Sequence, residues 1–106
     1  MNQDTICAIS TAQGGAIGCI RLSGTEAIRM AESIFTPATP SKKLSEQKPY
    51  TLTFGQIKDG EEVIDEVLMS LFKGPHSYTG EDSVEISCHG SAYILQQVMQ
   101  LLIRNG

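Results

Sequence analysis

Five short stretches of the chain have the pattern of hydrophobic and polar residues that is typical of β-strands. They are residues 5–9, 16–22, 50–55, 63–72 and 83–88. Residues 50–55 and 83–88 alternate hydrophobic and polar side chains, as a strand with one buried face does, whereas residues 63–72 carry apolar residues on both faces. Asp59-Gly60, between the third and fourth stretches, has the composition of a hairpin turn. The second stretch is mostly apolar on both faces, which predicts a central strand.

Two further stretches repeat apolar residues at the spacing of an amphipathic helix. The first runs from residue 24 or 25 to about residue 35, and Ser23 with Glu26 forms the S-x-x-E pattern of a capping box. The second follows Ser91, a residue type that caps helix starts. The side chains predicted to be buried are Ala27, Ile28, Ala31, Ile34 and Phe35 in the first helix and Ile94, Leu95, Val98, Leu101 and Leu102 in the second. Residues 36–49 contain three prolines and predict a long surface connection.

The order of these elements, β-β-α-β-β-β-α, predicts an α+β fold. We expect a mixed, largely antiparallel sheet of about five strands with two helices on one face. A chain of 106 residues supports one core. Because it ends at Asn105-Gly106, the composition of a helix C-cap, we expect residues 1–106 to be a single domain of a longer protein.

Composition narrows the classes of function. With 41% hydrophobic and 19% charged residues the chain is globular and not disordered. A net charge of −4 argues against a free-standing protein that binds nucleic-acid phosphates, since such proteins carry a basic surface. Three cysteines without paired spacing and the absence of a signal peptide predict a cytoplasmic location. No apolar run reaches the roughly 20 residues of a membrane helix.

Several candidate motifs are better explained as ordinary structure. Gly14-Gly15 resembles a nucleotide-binding turn, but the glycine spacing and the lysine of the known motifs are missing, which favours a turn that needs positive φ. The cysteine and histidine residues do not have the spacing of a metal site. They are Cys7, Cys19, His76, Cys88 and His89. A nucleophile pair of Cys88 with His89 is a weak hypothesis, because adjacent residues of a strand point to opposite faces.

Arg21 and Glu85 are the two charged residues that their strands explain poorly. A guanidinium in an apolar strand needs an anionic or carbonyl partner. Glu85 shares a face with Ser83 and Ser87, which would form the polar wall of a pocket. The alternatives are a solvated face or an ion pair between Arg21 and Glu85, and the pattern leaves them open. The nearby loop with His76, Ser77 and Tyr78 is equally consistent with a ligand site and with an ordinary connection.

Three segments resemble the amino-terminal domain of the MnmE (TrmE) family of bacterial tRNA-modification GTPases. They are DTICAIST at residues 4–11, GAIGCIRLSG at residues 15–24 and GPHSYTGEDSVEISCHG at residues 74–90. The resemblance implies a folate-binding and dimerising domain, similar in fold to the tetrahydrofolate-binding domains of aminomethyltransferases. Together with a flavoprotein partner, the family attaches an aminomethyl-type group to the wobble uridine of tRNA, using a tetrahydrofolate one-carbon unit and GTP hydrolysis.

By position, the resemblance places the folate contacts on Arg21 and Glu85, and it implies 5-formyltetrahydrofolate or a related tetrahydrofolate as the ligand. It also implies a homodimer through this domain and contact with tRNA through the full complex. GTP, magnesium and potassium would bind only in a G domain outside these residues, and the chain itself has no GTPase motif. We expect no catalytic residue here. The alternative is a structural dimerisation module that binds no ligand on its own.

Two departures from the family pattern bear on the pocket. The loop before the second strand, Ala12-Gln13-Gly14-Gly15, is one residue shorter than the family's usual P-P-G-x-G-G segment. A lysine that contributes a folate contact in the family would lie beyond Gly106. The resemblance therefore implies that the pocket is incomplete within these residues.

Overall fold

The computed structural model describes residues 5–9, 17–39, 43–44, 47–48, 50–73 and 82–105. In these ranges the chain forms six strands and two helices, and the predicted α+β class is confirmed. The elements are β1 (Ile6–Ile9), β2 (Ile17–Ser23), α1 (Ala27–Ser33), β3 (Phe35–Pro37), β4 (Thr51–Asp59), β5 (Glu62–Phe72), β6 (Ser83–His89) and α2 (Ala92–Asn105).

The six strands form one sheet in the order β1-β2-β6-β5-β4-β3. All five neighbouring pairs among the described strands are antiparallel, so the sheet is more regular than the mixed sheet that the sequence predicts. The predicted hairpin joins β4 to β5. Its turn includes Gly60 at φ +64°, a conformation that glycine adopts without steric cost.

Both helices pack on the same face of the sheet, which we call the covered face. This face holds the core, where hydrophobic side chains from alternate strand positions meet the helices. The most buried of these side chains are Ile20, Leu22, Ile57, Met69, Leu71, Val84 and Ile86 on the strands and Ala27, Ala31, Val98 and Leu102 on the helices. Helix α2 lies so close to β2 that a Cβ atom on Gly18 would be 2.7 Å from a methyl group of Leu95. No helix in the described ranges is long and apolar enough to span a membrane.

The predicted capping box at the first helix is wrong. Helix α1 starts later than predicted, at Ala27, and its N-cap residue Glu26 makes no capping hydrogen bond with its side chain. Ser23 is instead the last residue of β2, and its hydroxyl lies 3.3 Å from that of Ser83 on β6. The cap predicted for the second helix is confirmed, because the Ile94 N–H donates to the Ser91 hydroxyl at 3.3 Å.

The prediction that residues 36–49 are only a surface connection is also wrong. Residues 35–37 form β3, which pairs with β4 at the edge of the sheet, and Leu44 is fully buried. Strand β3 approaches β4 so closely that a Cβ atom on Gly55 would lie 2.4 Å from the Thr36 carbonyl oxygen. Residues 40–42, 45–46 and 49 of this connection lie outside the described ranges.

Strand β2 is an interior strand, as predicted, because it lies between β1 and β6. It is buried on one face only, where Ile20 and Leu22 contribute to the core. On the opposite face Ile17 is 66% exposed and the Arg21 side chain is 35% exposed. The apolar residues on both faces of β2 therefore correctly indicate an interior strand, but only one of the two faces is buried.

Candidate functional site

The sheet face opposite the helices, which we call the open face, is a grid of side chains in cross-strand register. In one row Arg21 of β2 lies beside Glu85 of β6, followed by Ser70 of β5 and Leu52 of β4. The adjacent row holds Cys19, Ser87, Leu68 and Phe54 in the same strand order. Polar residues thus occupy the β2 and β6 half of the open face, and apolar residues occupy most of the β4 and β5 half.

Arg21 and Glu85 form a cross-strand ion pair. The Arg21 Nε–H donates to Glu85 Oε2 at 2.8 Å, and Arg21 Nη2 donates to the same oxygen. The side chains of Arg21 and Glu85 are 35% and 22% exposed. The two alternatives that the sequence left open are therefore both present, because the residues pair with each other on a partly solvated face. An ion pair with this exposure stabilises a fold by about 0–1 kcal/mol.

Hydroxyl groups surround the ion pair on the same face. Ser83 and Ser23 meet one row away, with their oxygen atoms 3.3 Å apart, and Ser87 lies on the other side of Glu85. A carboxylate, a guanidinium and hydroxyls together provide both donors and acceptors. This combination can bind a planar group through paired hydrogen bonds, which are strong when one partner is charged.

The apolar half of the open face exposes large hydrophobic side chains. Leu52 is 67% exposed, Phe54 is 51% exposed and Leu68 is 40% exposed. Tyr50 extends this surface, with its ring edge-on to Phe72 at a centroid distance of 5.9 Å. A contiguous exposed apolar surface beside polar groups is typical of a ligand or protein interface.

At the far end of the open face, His89 forms a pair with Asp65 that the sequence analysis missed. His89 Nδ1 lies 2.5 Å from Asp65 Oδ1, and the His89 backbone N–H donates to Asp65 Oδ2 at 2.9 Å. Asp65 is buried, whereas the His89 side chain is 72% exposed. The interruption of the apolar face of β5 by an aspartate was the available signal, but nothing in the sequence identified its partner 24 residues away.

Cys88 and Cys7 lack the lowered pKa that a cysteine nucleophile needs. Cys88 is buried on the covered face, where burial, the Asp65 carboxylate and Cys19 raise its pKa to about 11. Its thiol is therefore protonated at neutral pH, whereas a nucleophile needs a thiolate. Burial also raises the pKa of Cys7, whose Sγ lies 3.8 Å from the Met99 sulfur.

Other candidates are not assembled in the described part of the chain. In these ranges no three His, Cys, Asp or Glu residues come together as metal ligands. The predicted glycine loop at Gly14-Gly15 and the loop with His76, Ser77 and Tyr78 lie outside the described residues. A cavity of about 460 Å³ lies between the end of α1 and β3, lined by Glu32, Phe35, Thr36, Pro37, Lys43 and Leu44. It contains neither of the predicted site residues.

Comparison with known proteins shows the family to which the chain belongs. The family described as "GTP-binding protein TrmE N-terminus" matches residues 5–106. The chain is 77% identical over its full length to the tRNA modification GTPases MnmE of Bacteroides fragilis and Bacteroides thetaiotaomicron, and it spans 23% of each relative. It is 46% identical over 106 residues to the MnmE of Porphyromonas gingivalis, covering 99% of the chain and 22% of that relative. The chain therefore belongs to the family of TrmE amino-terminal domains.

Proposed function

We propose that the open face binds a reduced folate at Arg21 and Glu85. The observation that carries the proposal is the assembly of these two residues, 64 positions apart in the sequence, into one partly exposed ion pair. The carboxylate of Glu85 can accept two parallel hydrogen bonds from the N–H edge of a pterin ring. The guanidinium of Arg21 can bind a carbonyl oxygen or the glutamyl tail of the same ligand.

Ligand binding at this pair is an exchange of partners. Both described bonds between the two side chains end on a single oxygen, Glu85 Oε2. A ligand with two parallel N–H groups needs both carboxylate oxygens, so Arg21 has to release at least part of its contact. The exchange is inexpensive, because a pair with this exposure contributes only about 0–1 kcal/mol.

The division of the open face also supports a folate. A folate joins a polar pterin to an aromatic benzoyl group, and the polar half of the face adjoins an apolar half with Leu52 and Leu68. Burying the benzoyl group against these exposed side chains would contribute about 25 cal/mol for each Å² removed from water. The specific ligand that we propose is 5-formyltetrahydrofolate or a related tetrahydrofolate.

The longer relatives suggest the wider role. Because those relatives are named tRNA modification GTPases, we propose that residues 1–106 act as one folate-binding and dimerising domain of such a protein in the cytoplasm. The whole protein would modify the wobble uridine of tRNA together with a flavoprotein partner. GTP, magnesium and potassium would bind in the remaining part of that protein.

Calorimetric titration of the full-length protein with 5-formyltetrahydrofolate tests the folate site. The Arg21→Ala, Glu85→Ala double variant removes both charges together and leaves no unpaired charge, so we expect it to fold and to lose at least tenfold in affinity. The matched control is Arg29→Ala with Glu26→Ala, which removes an exposed ion pair on α1. If the first double variant binds as tightly as the control variant, the site assignment is wrong.

The exposed apolar half of the open face favours dimerisation as a second function. We propose that Leu52, Phe54 and Leu68 contact a second copy of the chain, because these side chains are too exposed to serve the core of one copy. Sedimentation velocity would show Leu52→Asp shifting the chain to monomer. Ile103→Asp is the control, since Ile103 is 68% exposed but lies on α2. A wild-type chain that is strictly monomeric while binding folate fully would refute this function and leave the first one standing.

A further inference from the structure

We propose that the His89 end of the open face is a second binding site, for a small planar group that carries N–H donors. The site is a cavity of about 210 Å³. Its apolar walls include Ile17, Phe54 and Leu68, and its polar lining residues are Glu66, Ser87 and His89. Since a cavity of about 150 Å³ accommodates benzene, this one has room for one substituted ring.

Asp65 determines which nitrogen of His89 is left available to a ligand. A carboxylate can only accept hydrogen bonds, so the contact between Asp65 Oδ1 and His89 Nδ1 requires the ring proton to be on Nδ1. In the neutral ring that this site requires, the other nitrogen, Nε2, is an acceptor. Asp65 is itself held by the backbone N–H of His89, so the orientation of the imidazole ring is supported from the backbone.

The polar lining selects for hydrogen-bond donors. Nε2 of His89 and the carboxylate of Glu66 are acceptors, the Ser87 hydroxyl can accept as well, and no lysine or arginine is among the described lining residues. A carboxylate or phosphate would meet Glu66 without a compensating cation. An amidine or an amino-substituted heteroaromatic ring would find acceptors for its N–H groups and apolar walls for its ring faces.

This site is separate from the ion pair of Arg21 and Glu85. His89 lies four residues along β6 from Glu85, which corresponds to about 13 Å at the rise of a strand. One ring cannot contact both positions. The second site uses different charged groups from the proposed folate site, but the two share Leu68 and Ser87, and Phe54 and Leu68 also belong to the surface proposed to contact a second copy.

An NMR titration of the ¹⁵N-labelled 106-residue chain with benzamidine tests the proposal. We expect shifts confined to the amides of Ile17, Leu68, Ser87 and their neighbours, and about a tenfold loss of affinity in His89→Phe, which keeps a planar ring but removes the acceptor. Glu66→Gln should also weaken binding. Glu62→Gln should not weaken binding. This substitution removes the same charge from the same strand, but Glu62 is not among the described lining residues of the cavity.

Two further measurements make the result decisive. Long-range ¹H–¹⁵N spectra should show the His89 ring protonated on Nδ1 in the wild-type chain, and benzoate should not bind. The proposal is overturned if benzamidine shifts a different region, if His89→Phe binds it equally well, or if Nε2 carries the proton. The Arg21→Ala, Glu85→Ala variant is expected to bind benzamidine as the wild-type chain does, so failure of the folate proposal is distinguishable from failure of this one.

Discussion

On β6, Ile86 is fully buried under the helices, whereas Glu85 and Ser87 on either side of it lie on the open face. The same division recurs on β5, where Met69 is fully buried and its neighbour Leu68 is 40% exposed. One set of backbone hydrogen bonds thus supports a packed core on one face and a chemically varied surface on the other. Residues on the open face can therefore be replaced at little cost in stability. Their identities reflect the ligands or proteins that this face contacts.

The largest expected difference in stability is between alanine variants of Met69 and Leu68. Met69→Ala should lower the free energy of unfolding by about 2–5 kcal/mol, because it leaves a cavity in the core. Leu68→Ala should change it by about 0.5 kcal/mol in the isolated chain, the typical size of a surface substitution. Urea unfolding of both variants measures the difference. Equal losses would show that the two faces are equally packed.

A smaller effect is expected at Thr53, which like Asp65 is a buried polar residue on the otherwise apolar covered face. Thr53 is 4% exposed, and its hydroxyl has no hydrogen-bond partner in the described structure. Thr53→Val removes the unpaired hydroxyl and keeps nearly the same side-chain volume. We therefore expect the free energy of unfolding to rise by about 1 kcal/mol.

Thr51→Val is the matched control for Thr53, because the Thr51 hydroxyl donates to the Lys48 carbonyl at 2.8 Å. In this variant the free energy of unfolding should fall by about 0.5–1 kcal/mol, because the substitution removes a hydrogen bond. The midpoint temperature of thermal unfolding should therefore rise in Thr53→Val and fall in Thr51→Val. Destabilisation by Thr53→Val would indicate that its hydroxyl is satisfied in solution.

A further effect, which appears only at high pH, is a pH dependence of stability from Cys88. Its pKa is raised from 9.0 to about 11 in the folded chain, so the unfolded chain releases the thiol proton first as the pH rises. The contribution to stability is fully present below about pH 9 and is lost as the pH rises from about 9 to 11. Denaturant unfolding should show a shallower decline over this range in Cys88→Ala than in the wild-type chain. An identical decline would mean that Cys88 is as accessible as an open-face residue.

Much of the sheet could be predicted from alternation alone. The strand that contains Val84 and Ile86 follows the hydrophobic pattern, because these apolar residues are buried. The same alternation finds β4 but predicts the wrong buried face, since Leu52 and Phe54 are exposed and Thr53 and Ile57 face the core. Strand β3 could not be found in this way, since three residues that include Pro37 are too few for a period. The capping box failed because Ser23 has a cross-strand neighbour, Ser83, that no local pattern reveals.

The site was predictable in part for the same physical reason. Arg21 and Glu85 attract notice because a charge in a strand needs an explanation, and their pairing follows from the register of β2 with β6. The partnership of Asp65 with His89 depends on how the end of β6 meets β5, which sequence spacing does not determine. The residues that the sequence does not predict are therefore those whose partners are set only by the tertiary arrangement of the strands.

The pairing of β2 with β6 also sets the order in which the molecule can be made. The contact between Arg21 and Glu85 closes a loop of 64 residues, and folds dominated by such distant pairs reach the native state in roughly milliseconds to seconds, more slowly than helical bundles. During synthesis the pair cannot form until the ribosome has released the chain through residue 89, the end of β6. A ligand held by this pair would therefore recognise only chains in which β2 and β6 have already paired.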